Sequence, residues 1–141
     1  MEFLEKGIEK RIEIENDFVW YNSKNKNLDF SKIISIGGYA YLQGFSANLS
    51  SLVSIGDYAY LQGCSANLSS LKSIDGYVNL QGCSSNLSSL VSIGGYAYLQ
   101  GCSKELKKSL SKTLQKCDGI YVEFQDNSMT LDEFKKYADK L

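Results

Sequence analysis

The alternation of apolar and polar positions in the middle of the chain predicts short β-strands. Val78 and Leu80 are apolar, whereas Tyr77, Asn79 and Gln81 beside them carry polar groups. Because side chains at i and i+2 share one face of a strand, we expect Val78 and Leu80 to point inward and the other three outward. The opposite register would bury glutamine and expose leucine, and both changes are unfavourable.

This strand pattern recurs at a fixed interval of 19 residues. The units begin at Ser35, Ser54, Ser73 and Ser92 and read SIGGYAYLQGFSANLSSLV, SIGDYAYLQGCSANLSSLK, SIDGYVNLQGCSSNLSSLV and SIGGYAYLQGCSKEL. Near-identity at a period of about 20 residues is typical of a solenoid, in which each unit buries its apolar side against its neighbours. Glycines before the tyrosine and after the glutamine predict tight bends at the strand ends.

Two weaker copies of the pattern flank the four units. FVWYN at 18–22 predicts a first coil with Val19 and Tyr21 inward, and IYVEFQD at 120–126 predicts a last coil. In the last coil we align Tyr121 with Tyr77, which places Phe124 at the inward position of Leu80. The sequence therefore predicts about six strands in one parallel sheet.

The N-terminal segment reads as a cap. IEIE at 12–15, followed by Asn16-Asp17 and FVWY, predicts a hairpin with a two-residue turn. Residues 2–10 are expected to form a short helix before it. Such a cap matters because an uncovered sheet edge recruits other chains.

The C-terminal segment predicts two helices around the last coil. KELKKSLSKTLQKC has leucines at 106, 110 and 114, the spacing of one helix face. Thr130 and Glu133 form a capping box ahead of an amphipathic helix, with Leu131, Phe134 and Ala138 facing inward.

Charge divides the chain in the same way as the repeats do. Residues 1–34 carry six basic and seven acidic groups and residues 104–141 carry eight and seven, whereas residues 35–103 carry only Lys72, Asp57 and Asp75. We expect a single domain, 1–141. It comprises an N-terminal cap with a divergent first coil (1–34), four 19-residue repeats (35–103), and a segment (104–141) with a helix, a divergent last coil and a capping helix.

The segments VNLQGC at 78–83, AYLQGC at 59–64 and 97–102, and AYLQGF at 40–45 share the spacing LxLxxC and resemble a leucine-rich repeat. The resemblance implies a parallel sheet with an open outer face, and binding as the role of that face. The unit is just under the usual 20–29 residues, so the returning side should be extended or turn-like rather than helical. The predicted fold class is therefore a β-rich, leucine-rich-repeat-like solenoid with an N-terminal hairpin and helix cap and C-terminal helices.

Stacking of the predicted strands generates three outward columns. The first contains Phe18, Tyr39, Tyr58, Tyr77, Tyr96 and Tyr121, the second Trp20, Tyr41, Tyr60, Asn79, Tyr98 and Glu123, and the third Asn22, Gln43, Gln62, Gln81, Gln100 and Gln125. The candidate partner-binding site consists of all these residues except Phe18, Asn22 and Gln125. Tyrosine suits recognition because it combines contact area, a hydroxyl group and little rotamer entropy.

The alternative interpretation is that the tyrosines form a ladder that only stabilises neighbouring strands. Asn79 and Glu123 interrupt the second column, which stacking alone would not require. We therefore expect these two positions to mark where a partner touches the face.

Catalytic and metal chemistry finds little support. The chain has no histidine, the commonest general base and a frequent metal ligand. Cys64, Cys83 and Cys102 share a column with Phe45 and are expected to be buried thiols; no role is assigned to Cys117. Glu123 and Asp126 should face opposite ways, so they do not pair as catalytic carboxylates. We expect no enzymatic activity, no cofactor and no bound metal.

The sequence thus predicts a non-enzymatic protein that binds a protein partner through the tyrosine and glutamine columns, as an inhibitor or adaptor. The start of the chain lacks the apolar centre of a secretory signal, and no run is long enough to span a bilayer, so a cytoplasmic protein without membrane contact is expected. Fourteen lysines against one arginine suggest a bacterium or phage, and hence an inhibitor encoded by a phage or mobile element against a bacterial defence system.

Two other functions remain open. The tyrosines could stack a nucleotide, nucleic acid or glycan, although a net charge of −1 and a central segment with one lysine argue against nucleic acid. The same face could also support self-association as a homodimer.

Overall fold

A computed structural model describes residues 3–6, 11–19, 29–124 and 127–141. These residues form short strands, two α-helices and a 3-10 helix at Phe30–Lys32. The strands are β1 (Phe3–Lys6), β2 (Arg11–Ile14), β3 (Phe18–Val19), β4 (Ile33–Ile36), β5 (Ala40–Tyr41), β6 (Ser54–Ile55), β7 (Ala59–Tyr60), β8 (Ser73–Ile74), β9 (Val78–Asn79), β10 (Ser92–Ile93), β11 (Tyr96–Tyr98) and β12 (Gly119–Tyr121). The helices are α1 (Lys104–Thr113) and α2 (Leu131–Asp139).

The first sheet, here called the serine sheet, has the strand order β1-β2-β4-β6-β8-β10 in the described part of the chain. Its strands are parallel except for β1, and equivalent residues pair, Ser35 with Ser54 and Ser54 with Ser73. Each of these serines is half-buried, and the isoleucine after it is buried. The sequence did not predict this sheet, because strands of two residues are too short to display an alternating pattern.

The second sheet, here called the tyrosine sheet, is parallel throughout, with the order β12-β11-β9-β7-β5-β3 among the described residues. Ala59 pairs with Ala40 on one side and with Val78 on the other. Val78 and Leu80 are buried, while Tyr77 is exposed and Asn79 half-buried. The predicted parallel sheet of about six short strands is thus confirmed, and so is its inward register within the four repeats.

Each repeat contributes one strand to each sheet and a turn that returns to the next repeat. Asn48, Asn67 and Asn86 form parallel bridges along this third side. The Oδ1 atom of each accepts a hydrogen bond from the backbone N–H two residues later, at 2.8 to 2.9 Å. The returning side is therefore extended and turn-like rather than helical, an arrangement compatible with a repeat solenoid.

The core lies between the two sheets and the turns. Isoleucines of the serine sheet, such as Ile55 and Ile74, meet Ala59, Leu61 and Leu80 of the tyrosine sheet segments in one hydrophobic cluster. Each of these side chains is at most 1% exposed. Both sheets are thus held by the same apolar interior.

The N-terminal cap differs from its prediction. Residues 3–6 form a strand, β1, which pairs antiparallel with β2, so the helix predicted at 2–10 is wrong there. The predicted hairpin of 12–15 with 18–22 is also wrong, because β2 joins the serine sheet beside β4 and β3 joins the tyrosine sheet beside β5. Ile12 and Ile14 are buried, which continues the inward column of the serine sheet, and β1 covers the edge that β2 would otherwise expose.

The two divergent coils are shifted from their predicted registers. Phe18 pairs with Ala40 and is fully buried against Phe30, with ring centroids 5.9 Å apart; it does not face outward, and Val19 lies opposite Tyr41 instead. Tyr21 lies outside the described residues. In β12, Tyr121 pairs with Tyr98, two positions from the predicted alignment.

The C-terminal helices confirm their predictions. Leu106, Leu110 and Leu114 are buried, the first two on α1 and the third at its end. The capping box of Thr130 and Glu133 is present at the start of α2, and Phe134 and Ala138 are buried while Leu131 is half-buried against the core.

Edges of both sheets at this end are engaged by neighbouring backbone. Lys116 bridges to Ser92 at the end of the serine sheet, and Met129 bridges to Ile120 at the end of the tyrosine sheet. Ile120 and Met129 exchange two backbone hydrogen bonds of 2.7 and 2.8 Å. These pairings reduce the tendency of an open edge to recruit another chain.

Candidate functional site

Tyrosines of successive repeats form two stacked columns on the outer side of the tyrosine sheet. The name tyrosine face is used here for Tyr39, Tyr41, Tyr58, Tyr60, Tyr77, Asn79, Tyr96, Tyr98 and Tyr121. All are half-buried except Tyr77, which is 44% exposed. The face carries hydroxyl, ring and amide groups without a formal charge at neutral pH.

The first column stacks tightly at its N-terminal end and opens towards its C-terminal end. The ring centroids of Tyr39 and Tyr58 are 5.3 Å apart, and those of Tyr58 and Tyr77 are 4.7 Å apart at an interplanar angle of 4°. Tyr77 and Tyr96 are 6.1 Å apart and tilted by 44°. Such contacts stabilise neighbouring strands, so internal stacking, the alternative raised by the sequence, does occur.

The second column consists of two stacked pairs on either side of Asn79. Tyr41 and Tyr60 have ring centroids 5.0 Å apart at 3°, and Tyr98 and Tyr121 have centroids 4.9 Å apart at 2°. In the sheet, Asn79 pairs with Tyr60 on one side and Tyr98 on the other. The predicted interruption at Asn79 therefore falls inside an otherwise regular aromatic column.

Glycines allow the first-column rings to lean over the following repeat. A Cβ atom on Gly76 would overlap the ring of Tyr58, and one on Gly95 would lie 2.5 Å from Tyr77 Cδ1. The equivalent position beside Tyr39 is occupied by Asp57. The glycine before the tyrosine thus makes room for a ring from the preceding repeat, a role that bend formation alone did not predict.

The glutamines follow the ends of the strands of the tyrosine sheet. Gln43, Gln62 and Gln81 are half-buried, as most of the tyrosines are, whereas Gln100 is only 9% exposed, so the predicted outward position is wrong for Gln100. Each strand ends two residues before its glutamine, and each glutamine precedes a glycine with φ between 65° and 78°. Strand alternation therefore no longer sets the direction of the glutamine side chain.

Three further predicted site residues have different outcomes. Trp20 lies outside the described residues. Tyr121 does belong to the face, but in the second column instead of the first. Glu123 is exposed beyond the end of β12 and does not occupy the predicted place in the second column. The alignment failed because Ile120, and not Val122, pairs with Ala97, although both are buried.

The electrostatic surroundings of the two columns differ. Asp17 Oδ1 accepts a hydrogen bond of 2.8 Å from the backbone N–H of Tyr39, and the Asp57 carboxylate raises the pKa of the Tyr39 phenol. By contrast, burial is the main cause that raises the pKa of Tyr98, followed by neighbouring tyrosines. The first column therefore borders an acidic edge, while the second has neutral surroundings at Tyr98.

The amide of Asn79 is directed back to its own chain. Its Oδ1 atom accepts a hydrogen bond of 3.1 Å from the backbone N–H of Gln81. A short side chain held in this way does not replace the ring that the other repeats place in the second column. The sequence did not predict this local bond, and at this position the second column has no ring between Tyr60 and Tyr98.

Three of the four cysteines are buried in the core. Cys64, Cys83 and Cys102 are buried and free, as predicted, and burial raises the pKa of Cys102 to about 11, so its thiol is protonated at neutral pH. Cys117 is half-buried, with its Sγ 3.4 Å from the carbonyl oxygens of Gly95 and Gly119. Within the described ranges, no three histidine, cysteine or acidic residues are grouped to hold a metal ion.

One exposed aromatic residue was missed. Phe124, predicted to point inward, is 66% exposed at the C-terminal end of the tyrosine sheet. The two-position shift of β12 moves it past the end of the strand. Correct alignment of Ile120 with Ala97 would have revealed this exposure.

Comparison of the chain with models of protein families, with curated proteins and with solved structures found no match. In the portion of the chain that the structure describes, neither helix is long and apolar enough to cross a membrane.

Proposed function

We propose that this chain is a leucine-rich-repeat-like solenoid that binds a protein partner through the tyrosine face, without catalysing a reaction. Binding as an inhibitor or adaptor fits a surface that offers contact area and hydroxyl groups. A phage or mobile-element inhibitor of a bacterial defence system is the specific form that we propose, on the basis of size and composition.

The observation that carries this proposal is the difference between the two sheets. The serine sheet stacks the same repeats in the same in-register manner with a small hydroxyl residue facing out. In the serine sheet, strands of the same repeats thus stack without tyrosines. A contiguous patch of half-exposed aromatic side chains without formal charge is a surface typical of protein interfaces.

The amino acids on the face also favour a protein partner. Tyrosine is enriched among residues that dominate binding energy, because a rigid ring loses little entropy on burial. The neutral face and the acidic edge at Asp17 and Asp57 provide no positive groove for a phosphate backbone. A protein surface with apolar and hydrogen-bonding groups is thus the ligand that matches this face best.

A capture experiment with matched variants of the two sheets tests the proposal. Three chains are immobilised: the wild type, the tyrosine variant Tyr60→Ala/Tyr98→Ala and the serine variant Ser54→Ala/Ser92→Ala. Proteins that each chain retains from a lysate of a candidate bacterial host are then quantified by mass spectrometry. We expect a specific partner to be retained by the wild type and the serine variant and lost from the tyrosine variant, with all three chains giving the same circular dichroism.

Retention of the partner by the tyrosine variant, or equal loss from both variants, would contradict binding through the tyrosine face. Light scattering of the wild type at increasing concentration distinguishes self-association. A dimer that the tyrosine substitutions dissociate, without any retained host protein, would replace the proposed function with homodimer formation.

A further inference from the structure

The second column has one position without an aromatic ring, at Asn79 between Tyr60 and Tyr98. It is named here the tyrosine notch and is bounded by Tyr60, Asn79 and Tyr98. Adjacent strands lie about 4.8 Å apart, so the two flanking tyrosines are separated by two strand spacings, about 10 Å. The ring centroids of the two stacked pairs in this column are 5.0 and 4.9 Å apart. A single ring inserted halfway between Tyr60 and Tyr98 would therefore lie at about the same stacking distance from each of them.

The notch is kept open by the conformation of Asn79. Because the Asn79 Oδ1 atom accepts the hydrogen bond from the Gln81 N–H, the amide lies against the end of its own strand. The two rings that bound the notch each stack on a tyrosine on their far side, Tyr60 on Tyr41 and Tyr98 on Tyr121. These stacked pairs resist a collapse of either wall into the gap.

The chemistry of the walls favours a neutral aromatic group over a cation or a nucleotide. Burial and neighbouring tyrosines raise the pKa of Tyr98, whereas a carboxylate raises that of Tyr39, so an inserted guanidinium would gain contact with the rings but not the counter-charge that Asp57 provides at Tyr39. A nucleotide phosphate would also lack a cation, because Lys72 is the one basic residue of 35–103 and precedes a strand of the serine sheet.

We propose that the tyrosine notch binds one aromatic side chain of the protein partner, inserted between Tyr60 and Tyr98 as the ring that Asn79 omits. The proposal rests on the proposed function, since it assigns the central contact of the same face. Aromatic side chains that fill a desolvated pocket are typical anchors of protein interfaces.

The test uses N-acetyltyrosinamide as the probe and two substitutions of the same residue. Asn79→Tyr closes the notch with the residue that other repeats carry at this position. Asn79→Ser leaves it open, because serine is short and its hydroxyl can accept the same bond from the Gln81 N–H. Binding is followed by NMR shifts of the assigned Tyr60 and Tyr98 ring signals during titration of each full-length chain. We expect saturable ring-current shifts for the wild type and Asn79→Ser, and at least about tenfold weaker binding to Asn79→Tyr, because two stacking contacts are lost.

Controls with N-acetylargininamide, N-acetylleucinamide and adenosine define the occupant. Weaker binding of all three supports an aromatic side chain. Tighter binding of the arginine or adenosine probe, equal binding of tyrosinamide to Asn79→Tyr, or no saturable shift at the solubility limit of tyrosinamide would overturn the proposal.

The capture experiment separates this inference from the proposed function. Loss of the partner from Asn79→Tyr, with retention by Asn79→Ser, supports insertion into the notch. Retention by Asn79→Tyr together with loss from Tyr60→Ala/Tyr98→Ala would overturn the notch and leave binding through the face intact. Retention of the partner by both Asn79→Tyr and Tyr60→Ala/Tyr98→Ala would contradict insertion into the notch and also binding through the tyrosine face.

Discussion

The serine sheet and the tyrosine sheet are built from the same repeats but present different outer surfaces. Within the repeats, both sheets are parallel with equivalent residues paired, and both place apolar side chains in the shared core. Outside, the serine sheet has a half-buried serine in each repeat, whereas the tyrosine sheet has rings stacked at distances as short as 4.7 Å. The difference separates what holds the strands together from what the surface offers to a partner.

The largest expected effect tests the core that the two sheets share. Ile74→Ala and Leu80→Ala each remove a fully buried side chain, one from each sheet segment, and each should lower the free energy of unfolding by about 2–5 kcal/mol. Ser73→Ala, on the outer side of the serine sheet, should change it by less than about 0.5 kcal/mol. Urea unfolding followed by circular dichroism measures all three; a similar loss for Ser73→Ala would show that the outer serines also hold the fold.

A smaller effect is expected when a tyrosine is replaced by the residue type that the other sheet uses. Tyr60→Ser removes the stacked pair with Tyr41 and should cost about 1–2 kcal/mol of unfolding free energy, with the β-sheet signal retained. The same urea titration compares it with Leu80→Ala. Should Tyr60→Ser be as destabilising as the core substitution, the ladder would be a requirement of the fold and the contrast between the sheets would fail.

The repeats and the caps differ in how far the sequence could predict them. Within the repeats, alternating Val78 and Leu80 and the 19-residue interval predicted the pairing and the inward face of the tyrosine sheet. The divergent coils lack that periodic reference. Phe18 pairs with Ala40 where Val19 was predicted, a shift of one residue, and Ile120 pairs with Ala97 where Val122 was predicted, a shift of two. In each case two nearby apolar residues could fill the inward position, and packing decides between them.

The composition of the candidate site was predicted better than its geometry. The two tyrosine columns and the interruption at Asn79 follow from strand alternation alone. The orientation of the glutamines does not, because it depends on where the strand ends and on the left-handed glycine that follows. Likewise, the hydrogen bond from the Gln81 N–H to Asn79 competes with other local partners that the sequence does not rank.

The smallest expected effect distinguishes the acidic edge from the remainder of the tyrosine face. Because the Asp57 carboxylate raises the pKa of Tyr39, Asp57→Asn should lower that pKa, while the pKa of Tyr98, raised mainly by burial, should not change. NMR titration of the two tyrosine Cζ signals from neutral to alkaline pH measures both. An equal decrease for Tyr98 would contradict the electrostatic difference between the columns.

The direction of the accompanying pH dependence follows from linkage. A phenol whose pKa is higher in the folded than in the unfolded chain favours folding while it is protonated. That stabilisation is complete below the unfolded pKa of about 10 and is lost as the pH rises through the folded value. Asp57→Asn should therefore reduce the Tyr39 contribution to alkaline unfolding, and the Tyr98 contribution should persist.

Because equivalent residues of successive repeats pair, the number of repeats sets the distance of the notch from the N-terminal cap. Each 19-residue unit adds one strand to both sheets, so duplication of residues 54–72 would move Asn79 about 4.8 Å further from the N-terminal cap. The added unit would have the same kind of backbone partners, because successive units pair through equivalent residues in both sheets. Copy number can therefore set where an anchoring ring falls along a partner, independently of how strongly the notch holds it.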